Sequence, residues 1–156
     1  MKKQSLSSSA RKGQSLVEFA ISLTVILILL AGTVDFGIGL FHYIAMRDAA
    51  QEGALYGSIN PPPNAGNWHC PNSQIANICG RILNASGGGG MIKRIYDSGM
   101  KINIAVPGSA CEGNDITVTL LYDYPISMPF IGAAIGSDTI QLRATATDTI
   151  LTPSCH

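Results

Sequence analysis

Residues 19–34 are sixteen consecutive positions without a formal charge, dense in Leu, Ile and Val. No other feature limits so tightly what this chain can become. Leu16 and Val17 begin the apolar run before Glu18, and beyond Asp35 it resumes through Phe36, Ile38, Leu40, Phe41, Tyr43 and Ile44. A helix needs roughly 20 apolar residues to cross a bilayer. Residues 16–35 meet that length, with one acid near each end. At 1.5 Å per residue Glu18 and Asp35 stand about 25 Å apart along the axis, close to the hydrocarbon thickness, which makes Asp35 a marker of the outer interface.

Charge gives the span a direction. Lys2, Lys3, Arg11 and Lys12 put +4 on the first thirteen residues, and the remaining six bases and ten acids leave −4 on the rest. Bases ahead of a span hold that end in the cytoplasm, so residues beyond it are expected outside. The acidic body also excludes a nucleic-acid surface, which requires clustered cations. With 46% hydrophobic and 13% charged residues, the chain departs from an ordinary soluble composition. A cleaved signal peptide, cut near Ala31-Gly32-Thr33, is the weaker alternative: the apolar core is long and helical patterning continues past that point.

Glu18 needs a partner, because a carboxylate at the centre of a spanning helix costs about 2.5–3.5 kcal/mol, and less near an end. A cut after Gly13 would create an α-amine on Gln14, four residues or one helical turn before Glu18. The same cut would remove the basic tail. Arg11-Lys12-Gly13 followed by Gln14-Ser15-Leu16-Val17-Glu18-Phe19 resembles the class III signal of type IV pilin-like proteins. The longer stretch, with its VEFA, VDFG and AAQEGA blocks, resembles the TadE-like pseudopilins of tight-adherence (Flp-type) pilus systems. The strand, proline, apolar loop and Ala/Thr-rich strand near the end resemble that family's C-terminal part, so the likeness covers residues 11–58 and 115–148. Gln14 departs from the aromatic residue or Met common at this point in true pilins.

The resemblance implies processing at Gly13, Gln14 and Glu18, with a prepilin peptidase cutting after Gly13. It also implies other pilin or pseudopilin subunits, the inner-membrane assembly machinery and membrane lipid as partners. The protein would sit in the bacterial inner membrane with its N-terminus in the cytoplasm, or leave it within a pilus. A large head on such a helix leans towards a minor subunit, since the principal Flp-type pilins are much shorter. The alternative is a single-pass membrane protein that never assembles and whose exported head is a binding or adhesion module.

The expected organisation is therefore a leader over 1–13, a long helix over 14–57 and an exported α+β head over 58–156. Ala45, Ala49, Gly53 and Gly57 recur at four-residue spacing, which lets another element approach the helix backbone closely. That element is either a neighbouring pilin helix or the chain's own head. Residues 60–64, Asn-Pro-Pro-Pro-Asn, end the helix. Ser73 is placed to cap a helix carrying Ile75, Ile78, Ile82 and Leu83, and a second short helix is expected over 91–96. Afterwards the period becomes two. Ile102 to Val106, Ile116 to Tyr124 and Ile140 to Ala146 predict three antiparallel strands covered on one face. The apolar stretch 125–136 between the last two strands is left with three readings: folding under the sheet, meeting a subunit or touching the membrane.

All four cysteines, Cys70, Cys79, Cys111 and Cys155, follow the span. An even number in an exported domain reads as two disulfides with three possible pairings, of which we favour Cys70–Cys79 and Cys111–Cys155. No Cys-x-x-Cys or His-x3–5-His spacing supports a metal site despite His69 and His156. His42, His69 and His156 are scattered, and no nucleophile elbow or carboxylate pair frames a reaction, so neither enzymatic activity nor a cofactor is expected.

Overall fold

A computed structural model describes residues 8–85, 90–128, 132 and 136–152, with side chains from residue 13 onward. Helix α1 (Ser8–Ile59) is followed by β1 (Gly66–His69), a 3-10 turn (Ser73–Ile75), α2 (Ala76–Leu83), α3 (Met91–Asp97), β2 (Lys101–Val106), β3 (Asp115–Pro125) and β4 (Thr139–Thr149). The architecture is α+β: a long apolar helix, then a head with an antiparallel sheet. By packing the chain divides into Met1–Gly37 and Ile38–His156, so the second half of α1 belongs with the head.

The sheet is a meander in the order β1-β2-β3-β4, with every neighbouring pair antiparallel. Alternation sends Ile102, Ile104 and Val106 of β2 and Ile116, Val118, Leu120, Tyr122 and Tyr124 of β3 to the covered face, where all are buried. Ile78 and Ile82 of α2 and Ile92 and Ile95 of α3 join them, as do Ala45, Met46, Ala49, Ala50 and Ala54 of α1. On the opposite face threonines pair across strands. Thr117 and Thr147 hydroxyls lie 2.9 Å apart, those of Thr119 and Thr145 3.4 Å.

Four strands form where three were expected. The added strand, β1, has only Trp68 turned partly toward the core, so its sequence carries no alternating signal. It is held by its register with β2, in which Trp68 faces Ile104 and His69 faces Asn103. His69 therefore lies in this edge strand. The helix start after the proline run also differs by one residue. Asn72, rather than Ser73, supplies the cap, its side-chain oxygen accepting from the Gln74 backbone N–H at 2.8 Å. In β4 the outlying Ile140 is 45% exposed while Ala144 is buried, because the helical layer covers the centre of this edge strand and not its end. Of the apolar stretch 125–136, residues 129–131 and 133–135 lie outside the described residues.

Ser8–Ile59 ends in a set of paired carbonyls. The Asn60 N–H donates to Tyr56 O at 2.9 Å, and the Leu151 N–H to Ser58 O at 2.8 Å. The Thr152 hydroxyl donates to Ile59 O at 2.7 Å. The last carbonyls of a helix have no intrahelical donor, and here the residues after β4 supply some of them. Pro61 then prevents continuation.

Two glycines show how close α1 comes to its cover. A Cβ added at Gly53 would stand 2.4 Å from Ile82 Cγ1 and 3.6 Å from Val118 Cγ1, and one at Gly57 would stand 2.5 Å from Ile116 Cδ1. At Gly80, by contrast, an added Cβ meets nothing within 4 Å. Adding a side chain at Gly53 and at Gly80 should thus have opposite signs. Gly80→Ala is expected to stabilise the head by about 0.5–1 kcal/mol through helix propensity. Gly53→Val is expected to destabilise it by roughly 2 kcal/mol, because overpacking a filled core outweighs that gain. Thermal unfolding of the detergent-solubilised protein, followed by circular dichroism, reads both.

Candidate functional site

The residues expected to mark processing, Gly13, Gln14 and Glu18, lie in the early turns of the described helix. Gly13 has open space around it, and Gln14 and Glu18 are both exposed and one turn apart on α1. A glycine in a helix is about 1 kcal/mol less favourable than alanine, so Gly13 weakens the helix locally.

From Leu16 to Leu30 every large apolar side chain on this helix is exposed, Leu16 at 69% and Phe19 at 66%. A helix apolar on all sides belongs in lipid or in a bundle of like helices. Gly13–Ile59 is long and apolar enough to cross a membrane. Both of its threonine hydroxyls are satisfied along the helix: Thr24 donates to Ala20 O at 2.8 Å and Thr33 to Leu29 O at 2.9 Å. Such back-bonding removes most of the cost of placing a hydroxyl in hydrocarbon. Asp35, expected at the outer interface, is only 8% exposed.

The small-residue face lies further along the same helix. Ala45 and Ala49 are buried in the head's core, and Gly53 and Gly57 face Ile82, Val118 and Ile116. The chain's own sheet and α2 therefore occupy this face. Around it, Glu52 pairs with Arg81 at 3.4 Å, and the Arg81 guanidinium lies 5.5 Å from the centre of the Tyr56 ring. Nearer the span, His42 meets Tyr122 and Tyr124 edge-on, with ring centres 6.1 and 5.4 Å away, and its Nδ1 is buried without a hydrogen-bond partner. Sequence reasoning placed His42 on the helix but gave it no neighbours. The alternating tyrosines of β3 were the available signal.

Cys70 and Cys79 are joined, with Cα atoms 6.0 Å apart, tying the end of β1 to α2. Cys155, the expected partner of Cys111, lies outside the described residues, as does His156; among the described residues no cysteine is free. Among them too, no three His, Cys, Asp or Glu side chains gather as a metal site. One open cleft of about 640 Å³, between the proline run and the turn at Gly108 to Cys111, has no acid or base in its lining. It offers shape without proton-transfer groups.

Residues 13–55 match the family model described as TadE-like protein, the family that the N-terminal sequence resembles. The match begins at Gly13 and covers the apolar helix into its head-packed half, leaving the sheet outside. No curated protein and no solved structure matches the chain. The matched segment is 43 of the 156 residues, less than half of the chain.

The Cys70–Cys79 bond closes a loop with a sequence separation of 9. Chain entropy assigns such a loop about 2–3 kcal/mol of stability. The double variant Cys70→Ala/Cys79→Ala should accordingly melt several degrees below the native protein, and added reductant should shift the native protein by more than the variant.

Proposed function

We propose that this chain is a TadE-like pseudopilin, a minor structural subunit of a Tad/Flp-type pilus. It is inserted into the inner membrane as a precursor with its basic N-terminus in the cytoplasm. A prepilin peptidase cuts between Gly13 and Gln14, and the freed helix assembles with other pilin or pseudopilin subunits.

The observation that carries this reading is the stretch of α1 that follows the first matched residue, Gly13: from Leu16 to Leu30 its large apolar side chains are all exposed, yet it bears Glu18 one turn past Gln14. A plain anchor has no use for that carboxylate, which costs free energy in lipid. A neighbouring subunit's new α-amine gives it a counter-charge, and removal of four bases leaves the helix free to quit the membrane. The head then rides on the distal half of α1, outside the assembly helix, with its threonine-lined face and proline cleft available for contacts beyond the membrane.

Intact mass of the protein from cells with and without a co-expressed prepilin peptidase tests this directly. Loss of residues 1–13 only when the peptidase is present, and no loss in Gly13→Ala, is the expected result. An uncut chain in both samples would overturn the pseudopilin reading in favour of a fixed membrane anchor with a binding head. A cut near residue 33 would make the protein an ordinary export.

A further inference from the structure

The apolar surface of α1 does not stop at Asp35. Ile38, Leu40, Phe41, Tyr43 and Ile44 all belong to the head unit and all are exposed, Phe41 at 53%. No acid, lysine or arginine stands on the helix between Asp35 and Arg47, and His42 is turned to the tyrosines of β3. From Glu18 to Arg47 is 29 residues or about 44 Å along a helix axis, which exceeds the hydrocarbon core and equals a bilayer with its headgroup layers included.

The contacts of β3 with the helix give a ruler for the rest of the head. Tyr124 touches the Gly39 level, at 3.5 Å from an added Cβ, whereas Val118 lies at Gly53 and Ile116 at Gly57. Ile140 is opposite Tyr124 in the sheet and is 45% exposed. Ile126 and Met128 follow directly, half-buried, with the Ile126 N–H held by Asp138 O at 2.9 Å. The connection between Pro125 and Asp138 carries no charged residue in its sequence. Ile126, Met128 and Ile140 thus bring apolar side chains to the end of the sheet that meets Gly39, with Asp123 and Asp138 exposed beside them.

We infer that this end of the head, comprising Ile38, Phe41, Ile126, Met128 and Ile140, is a lipid-contacting surface seated in the outer headgroup layer. Its partner is the bilayer interface, and no Asp, Glu, Lys or Arg stands on α1 between Asp35 and Arg47 to hold this part of the helix in water. The inference rests on the reading of α1 as a membrane helix. While the protein is in the membrane, this seat would cover apolar side chains that water would otherwise meet, and it would have to be vacated on leaving.

Single-tryptophan variants in a Trp68→Phe background, each the full chain in phosphatidylcholine vesicles with brominated acyl chains, decide the matter. Leu27→Trp reports the span, Ile140→Trp and Met128→Trp report the seat, and native Trp68 reports the level of Ile104 and Val118 further along the head. Expected is loss of emission for Leu27→Trp with deep bromines and for Ile140→Trp and Met128→Trp with shallow ones, while Trp68 keeps its emission. Quenching of Leu27→Trp with both seat reporters silent would overturn the inference and leave the membrane helix standing. If the silent reporters instead shift to the blue as protein-to-lipid ratio rises, a second copy covers this surface and the inference is equally overturned. A silent Leu27→Trp would remove the membrane helix itself, and the seat with it.

Discussion

The close approach of α1 to its own sheet is the contact on which the head depends. At Gly53 and Gly57 the helix has no side chain of its own, so Ile82, Val118 and Ile116 press against its backbone, and all three side chains are buried. Small residues at four-residue spacing give one narrow groove along the helix. That groove fixes where β3 lies, with Ile116 at Gly57, Val118 at Gly53 and Tyr124 back at Gly39. The register of β2 and β4 then follows from β3 by hydrogen bonding, because a slip of one residue would turn the buried set outward. A closing link runs from beyond β4 to the carbonyls of Ser58 and Ile59, so the helix end and the sheet end are held by the same backbone.

Much of this was legible in the sequence because it is written in periodicity. The apolar run, its exhaustion at the prolines and the alternation of β2 and β3 each state one element and one face. The groove was also legible as Ala45, Ala49, Gly53 and Gly57, yet its occupant was not, since a neighbouring helix and the chain's own sheet make the same demand for small residues. What failed was local. β1 pairs through its backbone and packs through Trp68 alone, so nothing in Gly66–His69 alternates. The cap at Asn72 instead of Ser73 is a choice between two adjacent residues of similar capping strength, settled by which backbone is extended at that point. The exposure of Ile140 follows from its place at the end of an edge strand, a fact of topology that no strand carries in its own letters.

The candidate site was read in two different ways, and their outcomes differ for that reason. Glu18 stands out by cost alone: one carboxylate in an apolar helix calls for an explanation whatever the fold. His42 does not stand out, because a histidine on a helix is ordinary until the tyrosines of β3 are known to meet it. Groups whose meaning is a free-energy penalty can be found from sequence. Groups whose meaning is a neighbour need the pairing of distant segments.

Where the core begins bears on how such a chain would act. No member of the head's hydrophobic core precedes Ala45, although α1 runs from Ser8 to Ile59. The part from Leu16 to Leu30, whose large apolar side chains are all exposed, could therefore exchange lipid for the flanks of other helices without uncovering the core. The head, for its part, packs its core against the distal part of the same helix. One continuous secondary structure thus carries two independent free-energy terms, environmental in its first half and structural in its second. A subunit that must be stable both before and after leaving a membrane requires that separation. A helix whose small-residue face were kept for neighbouring subunits instead would leave Ile82, Val118 and Ile116 uncovered until assembly.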